Sequence, residues 1–207
     1  MSRLLEGNGA GLVREIALAS RVQRGLETLY RLDRTADVDD FVTHASDGER
    51  EALLVREAED GVLELSLRLP RLGTDVDGDD LDPICQIIEG VSHFVYLADR
   101  ASQNRGTTQL ELEVQAEVDK YVVLASSLRA FDERSSRRLR ERLYDRVGFE
   151  HERGSEEGER YRLANDCARR FTARLERDYL SRARYGELQG ELRRFFQLGQ
   201  SDKLRAA

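Results

Sequence analysis

The sequence predicts a mainly helical α+β protein: an antiparallel helix bundle with one β-hairpin inserted after the N-terminal helix. Three observations carry this. Apolar residues recur at spacings of three and four along most of the 207 residues, the period of one helical face. From Glu51 the pattern changes to two apolar runs flanking Glu59-Asp60-Gly61, the second of which alternates apolar and polar. Asp82-Pro83, Asn104-Arg105-Gly106 and Gly148 then divide the remainder into helix-length pieces.

In order along the chain, Leu12, Ile16, Ala19, Val22, Leu26 and Leu29 form the stripe of an amphipathic helix over residues 11 to 32. Gly7 and Gly9 before it read as a flexible terminus, because no strand precedes them and no Gly-Lys-Ser/Thr follows. Asp37 to Phe41 reads as a turn into a short helical piece or loop. Ala52-Leu53-Leu54-Val55 and the run Val62, Leu63, Leu65, Leu67, Leu69 supply the two hairpin strands, and Pro70 ends the second. Residues 73 to 80 form an acidic loop. Read as a calcium loop from Asp75, it has Asp80 and Gln86 where glycine and glutamate are required, so it is expected to be solvated.

A helix is expected from Pro83 to about Ala101, with Asp82 as cap. Ile84, Ile87, Ile88, Val91, Phe94 and Val95 lie on one face; Glu89, His93, Tyr96 and Arg100 lie on the other. Residues 108 to 130 alternate like a strand at first, but Leu110, Val114, Val118, Tyr121, Val122, Ala125 and Leu128 continue at helical spacing for longer than strands usually run. The segment is read as a helix, capped by Thr107 or Thr108 and antiparallel to the one before it. A short helix carries Leu139, Leu143 and Val147, a charged loop spans residues 149 to 159, and a long helix over Glu159 to Arg184 presents Leu163, Cys167, Phe171, Leu175 and Tyr179. Leu188, Leu192, Phe195 and Phe196 should dock the last helix. The whole reads as a single domain over 1–207: N-terminal helix plus β-hairpin in 1–72, helical body in 81–200, and a frayed tail in 201–207.

Composition narrows the function classes. With 40% hydrophobic and 35% charged residues the chain can bury a core beneath a densely charged surface. No apolar run approaches the roughly 18 residues that span a bilayer, and the N-terminus lacks a signal-peptide pattern. A cytoplasmic location away from membranes is expected. Cys85 and Cys167, far apart and beside apolar residues, read as buried free thiols. Net charge is −7, yet residues 160 to 207 carry 12 basic against 6 acidic groups. A basic tail on an acidic body attracts the body itself and needs no anionic partner.

Glu89 and His93, at i and i+4, can share a metal. If the next helix folds back about Asn104-Arg105, His93 lies level with Glu117, and Glu113 sits one turn away. Glu117 borders the apolar stripe, where a carboxylate is costly unless paired. The favoured expectation is one buried His93–Glu117 pair with Glu89 solvated. The alternative is a divalent-metal site of Glu89, His93, Glu113 and Glu117, with Glu89, His93 and Glu117 as candidate catalytic groups. The spacing departs from the Glu-x-x-His of ferritin-like di-metal bundles. Ser92 points about 100° from His93 and reads as a packing serine, while His44 and His151 fall in expected loops.

Arg138, Arg142 and Arg146 share a helical face and are candidate anion-binding residues. Glu141 and Asp145 lie at helical spacing among them, which favours a solvated, salt-bridged helix. The function expected from these features is a non-catalytic intracellular interaction or regulatory protein, with a protein partner or a second copy of itself and no cofactor. The first alternative is a metal-dependent or small-molecule enzyme using the Glu/His cluster. The second is an anion or nucleic-acid binder using the arginine-rich helix, with nucleic acid disfavoured.

Overall fold

The computed structural model describes residues 12–44, 52–57, 63–72, 81–129, 131–149 and 151–207. It is mostly helical. The first helix, α1 (Val13–Tyr30), buries Ala19, Val22, Leu26 and Tyr30, as the stripe predicts. It ends at Arg31 in the left-handed conformation, φ 57°, with the Arg31 N–H donating to the Glu27 carbonyl. Gln23 fixes the turn beyond: its Oε1 accepts from Val38 N–H at 2.9 Å and its Nε2 donates to the Ala36 carbonyl at 2.7 Å.

Strands β1 (Val42–His44), β2 (Ala52–Glu57) and β3 (Leu63–Leu69) form one sheet in the order β1-β3-β2. β2 pairs antiparallel with β3, Leu53 opposite Leu67, and β1 pairs parallel with β3, Val42 opposite Leu67. The expected two-stranded hairpin therefore gives way to a three-stranded mixed sheet, and His44 stands in a strand rather than a loop. β3 has two edges to satisfy, and the segment leaving the α1 turn supplies the second set of partners. The turn Glu59-Asp60-Gly61 lies outside the described residues, as do the Gly7/Gly9 terminus and the acidic loop of residues 73 to 80. Leu67 and Leu69 are fully buried, and β3 packs on the next helix.

That helix is α2 (Leu81–Ser102), followed by α3 (Gln109–Ser126). A reciprocal cap opens α3: Thr108 Oγ1 accepts from Glu111 N–H at 3.2 Å, and Glu111 Oε2 accepts from Thr108 N–H at 2.7 Å. The segment with strand-like alternation is thus a helix. Its pattern is blurred because α3 packs against both α2 and a later helix, α5 (Glu156–Asp178), so Val114, Ala116, Val118 and Tyr121 are all buried without forming one narrow stripe.

Between them, α4 (Glu133–Arg140) runs into a single π turn, Glu141–Asp145. The wider turn breaks the expected face of Arg138, Arg142 and Arg146, and Arg146 leaves the helix at φ −111°, ψ 16°. α5 stops earlier than its spacing suggests: a 3₁₀ turn at Leu180–Arg182 and left-handed Ala183, φ 54°, intervene before α6 (Tyr185–Gln197). Residues 201 to 207 are not frayed. All but Ala207 lie in α7 (Gln200–Ala206), whose Lys203 is completely buried.

The core gathers Ile87, Val91 and Phe94 of α2, Phe171 and Leu175 of α5, and Phe195 and Phe196 of α6. Phe171 and Phe195 stack at 3.9 Å, and Tyr30 stacks on Phe196 at 4.3 Å. Among the described residues no helix is long and apolar enough to cross a membrane.

Candidate metal centre between α2 and α3

The polar face predicted for α2 turns towards α3, so this helix is buried on both sides. Partners across the contact descend along α3 as residue numbers rise along α2: Glu89 meets Lys120, Ser92 meets Asp119, and His93 meets Glu113. The i, i+4 spacing of Glu89 and His93 sends both side chains into one gap, and Glu113 enters it from α3. One potential ligand atom from each lies within 4.8 Å of the other two. His93 Nε2 is 3.8 Å from Glu113 Oε2.

The predicted His93–Glu117 pair is not formed. Glu117 accepts from Lys120 Nζ at 2.6 Å, and the same ammonium donates to Glu89 Oε2 at 3.1 Å. Glu89 is therefore ion-paired, with its side chain only 14% exposed, and not solvated as expected. The correction amounts to one turn of α3: His93 stands beside Glu113, the residue expected a turn away. His93 Nε2 and Arg160 Nε are buried and have no hydrogen-bond partner. Arg160, from α5, brings that Nε to 3.9 Å from Glu113 Oε1.

Electrostatics follow from burial. Removal from water pushes the Glu113 carboxyl up to about 8, the Glu89 charge adds to the rise, and Arg160 and Lys120 oppose it. Burial likewise raises Glu117. Burial would lower Lys120, but the charges of Glu117 and Glu89 outweigh it and the ammonium is held well above its ordinary range. Burial lowers His93, which keeps the imidazole neutral, the form that can donate a nitrogen lone pair to a metal. Two donors on a tetrahedral ion at 2.0–2.2 Å stand about 3.3–3.6 Å apart, so from the 4.8 Å limit the side chains close by about 1.2–1.5 Å to share one ion, a distance within the reach of rotation about their own bonds. The donor set fits an ion.

A second polar cluster, absent from the sequence reading, lies along the same contact. Asp119 accepts from Ser92 Oγ at 2.6 Å, from Gln115 Nε2 at 3.0 Å and from the Tyr30 hydroxyl. Ser92, read as a packing serine, is thus a buried hydrogen-bond donor. Lys203 Nζ donates to Gln115 Oε1 at 2.7 Å and to the Phe195 carbonyl at 2.8 Å, and lies over the Phe195 and Tyr96 rings. Arg100 donates to the Tyr96 hydroxyl and the Phe196 carbonyl, which ties α2 to α6. Apart from Arg100 Nη1, which is buried without a hydrogen-bond partner, these groups find their partners within the protein, and the cluster reads as a structural joint between α1, α2, α3, α6 and α7. Lys120 and Lys203 are the only lysines in the chain, and both are buried. Their rarity among 33 basic residues was the one available signal, and the arginine bias obscured it.

Of the other candidates, Arg138, Arg142 and Arg146 are exposed. The cavity of about 510 Å³ beside α4 is lined by Glu133 and Glu141 as well as Arg134, Arg137 and Arg138, and Glu133 pairs with Arg137 at 3.0 Å. Arg140 is engaged with Glu176. His151 stacks on Tyr161 and lies 3.2 Å from Glu157. Both thiols are free, with burial pushing each up to about 11. No family model, curated protein or solved structure matches the chain.

Proposed function

We propose that this chain is a non-catalytic metal-binding protein in which Glu89, His93 and Glu113 hold one divalent first-row ion between α2 and α3. One observation carries the reading: three ligand-type atoms converge within 4.8 Å of one another, and the buried imidazole nitrogen of His93 has no hydrogen-bond partner in the protein. An orphaned buried acceptor costs roughly 1 to 3 kcal/mol, and a coordinated ion offsets that cost. Three protein ligands of mixed nitrogen and oxygen type suit zinc, manganese or iron(II) better than calcium. Burial of His93 and Glu113, with Glu89 partly buried, keeps bulky substrates from the ion, which favours a conformational role over catalysis. In this reading the helical body is an antiparallel bundle, supported by the descending order of partners between α2 and α3, and the ion cross-links two of its helices. A cytoplasmic setting accords with the two free thiols.

Metal analysis of protein purified without added metal tests the reading, together with melting curves before and after chelation. One equivalent of ion is expected, a chelator should lower Tm, and both effects should vanish in His93→Ala and Glu113→Gln. If chelator-treated wild type takes up neither zinc, manganese nor iron(II), the reading is wrong. A protein-interaction role, the function expected from the sequence, would have as its surface an apolar groove of about 770 Å³ between α1, α2 and α3, lined in part by Leu18, Leu29, Ile84 and Val123. Nothing in the groove selects an occupant, so the metal reading takes precedence.

A further inference from the structure

We infer that Lys120 is an internal cation that competes with the metal for Glu89 and withholds Glu117 as a fourth ligand. The inference rests on the proposed metal site and assigns what tunes it. Glu89 and His93 form one i, i+4 pair on α2, and Glu113 and Glu117 form another on α3, so four ligand-type side chains flank one contact. Only three converge. Glu117 is drawn away by the Lys120 ammonium at 2.6 Å, and the same ammonium reaches Glu89 Oε2 at 3.1 Å. Lys120 is nine-tenths buried, with a side-chain exposure of 11%, so water screens its charge poorly.

Two consequences follow from these contacts. An ion bound by Glu89 must share a carboxylate with an ammonium, and the repulsion between two neighbouring cations weakens binding. With the ammonium gone, its competition for Glu89 is removed, and Glu117, one turn along α3 from Glu113, can turn to the ion as well. Arg160 does not act in the same way, because its nearest approach to Glu113 is 3.9 Å and its Nε makes no hydrogen bond there.

Titration of zinc and of manganese(II) against a chromophoric chelator, in wild type, Lys120→Met, Lys120→Met/Glu117→Gln and His93→Ala, tests the inference. Lys120→Met should bind at least tenfold more tightly than wild type. The double variant should return part of that gain, and His93→Ala should lose binding. Melting curves establish that each variant is folded. If folded Lys120→Met binds no more tightly than a wild type that does bind, Lys120 is not a competitor, although the site stands. Absence of binding in both proteins removes the site and the inference with it. Should Lys120→Met fail to fold, Glu117→Gln decides: neutralising Glu117 leaves Glu89 as the ammonium's one charged partner, so weaker binding supports competition and unchanged or tighter binding overturns it.

Discussion

Replacing Lys203 with methionine is expected to remove a pH dependence of stability that the folded protein carries between pH 7 and 9. Burial lowers the Lys203 ammonium to about 7, against the pull of Asp119, and Arg100 adds to the fall while Glu111 opposes it. In the unfolded chain a lysine titrates near 10.4. Between about pH 7 and 10 the unfolded chain therefore holds a proton that the folded chain has released, and stability rises with pH by up to about 1.4 kcal/mol per unit. Below pH 7 both states are protonated and the contribution is flat. Allowing for half-protonation at the start, the gain from pH 7 to 9 is about 2 kcal/mol. Urea unfolding at pH 7, 8 and 9, followed by circular dichroism, gives this increment in wild type and Lys203→Met. Groups common to both proteins, including Glu113, cancel in the comparison, and ending at pH 9 keeps below the range of the folded-state thiols. At pH 9 the variant should also be weaker overall, because Gln115 Oε1 and the Phe195 carbonyl lose their donor. Identical increments in the two proteins would refute the argument that Lys203 is docked in a desolvated site.

Glu117→Ala should cost about 3 kcal/mol in urea unfolding, since it leaves a buried ammonium with half its partners, and Glu117→Gln should cost less. Asp119→Ala strands donors on Ser92, Tyr30 and Gln115, and a loss of roughly 3 kcal/mol or more is expected from the same measurement. Ser136, fully buried between the Tyr121 hydroxyl at 2.8 Å and Glu176 Oε2 at 2.6 Å, anchors α4; Ser136→Ala should cost about 1 to 3 kcal/mol. Native protein at pH 8 should react slowly with iodoacetamide and rapidly once unfolded, because burial pushes Cys85 and Cys167 up to about 11; fast labelling of native protein would contradict that burial.

The sheet shows where local pattern stops being informative. Alternation in residues 63 to 69 marks a strand, since successive side chains point to opposite faces. Which neighbour fills its second edge depends on where the chain returns after α1, and only the folded protein places Val42 opposite Leu67. Likewise, helical spacing over residues 138 to 146 implies one arginine face, but a single π turn shifts the angular register and disperses it.

By itself the sequence determined what depends on angle around an element: the apolar stripes of α1 and α2, and the placing of Glu89 with His93 on one face. The tertiary structure alone decided what depends on position along the axis. Sliding α3 by one turn, about 5.4 Å, leaves each side chain on nearly the same face, so periodicity does not distinguish Glu117 from Glu113 as the neighbour of His93. Packing chose Glu113 and gave Glu117 to Lys120. The same holds for Lys203, whose short polar segment carries no apolar stripe. It folds as a helix because the body offers Gln115, a carbonyl and two aromatic rings to a buried amine, partners that converge only once α2, α3 and α6 have packed.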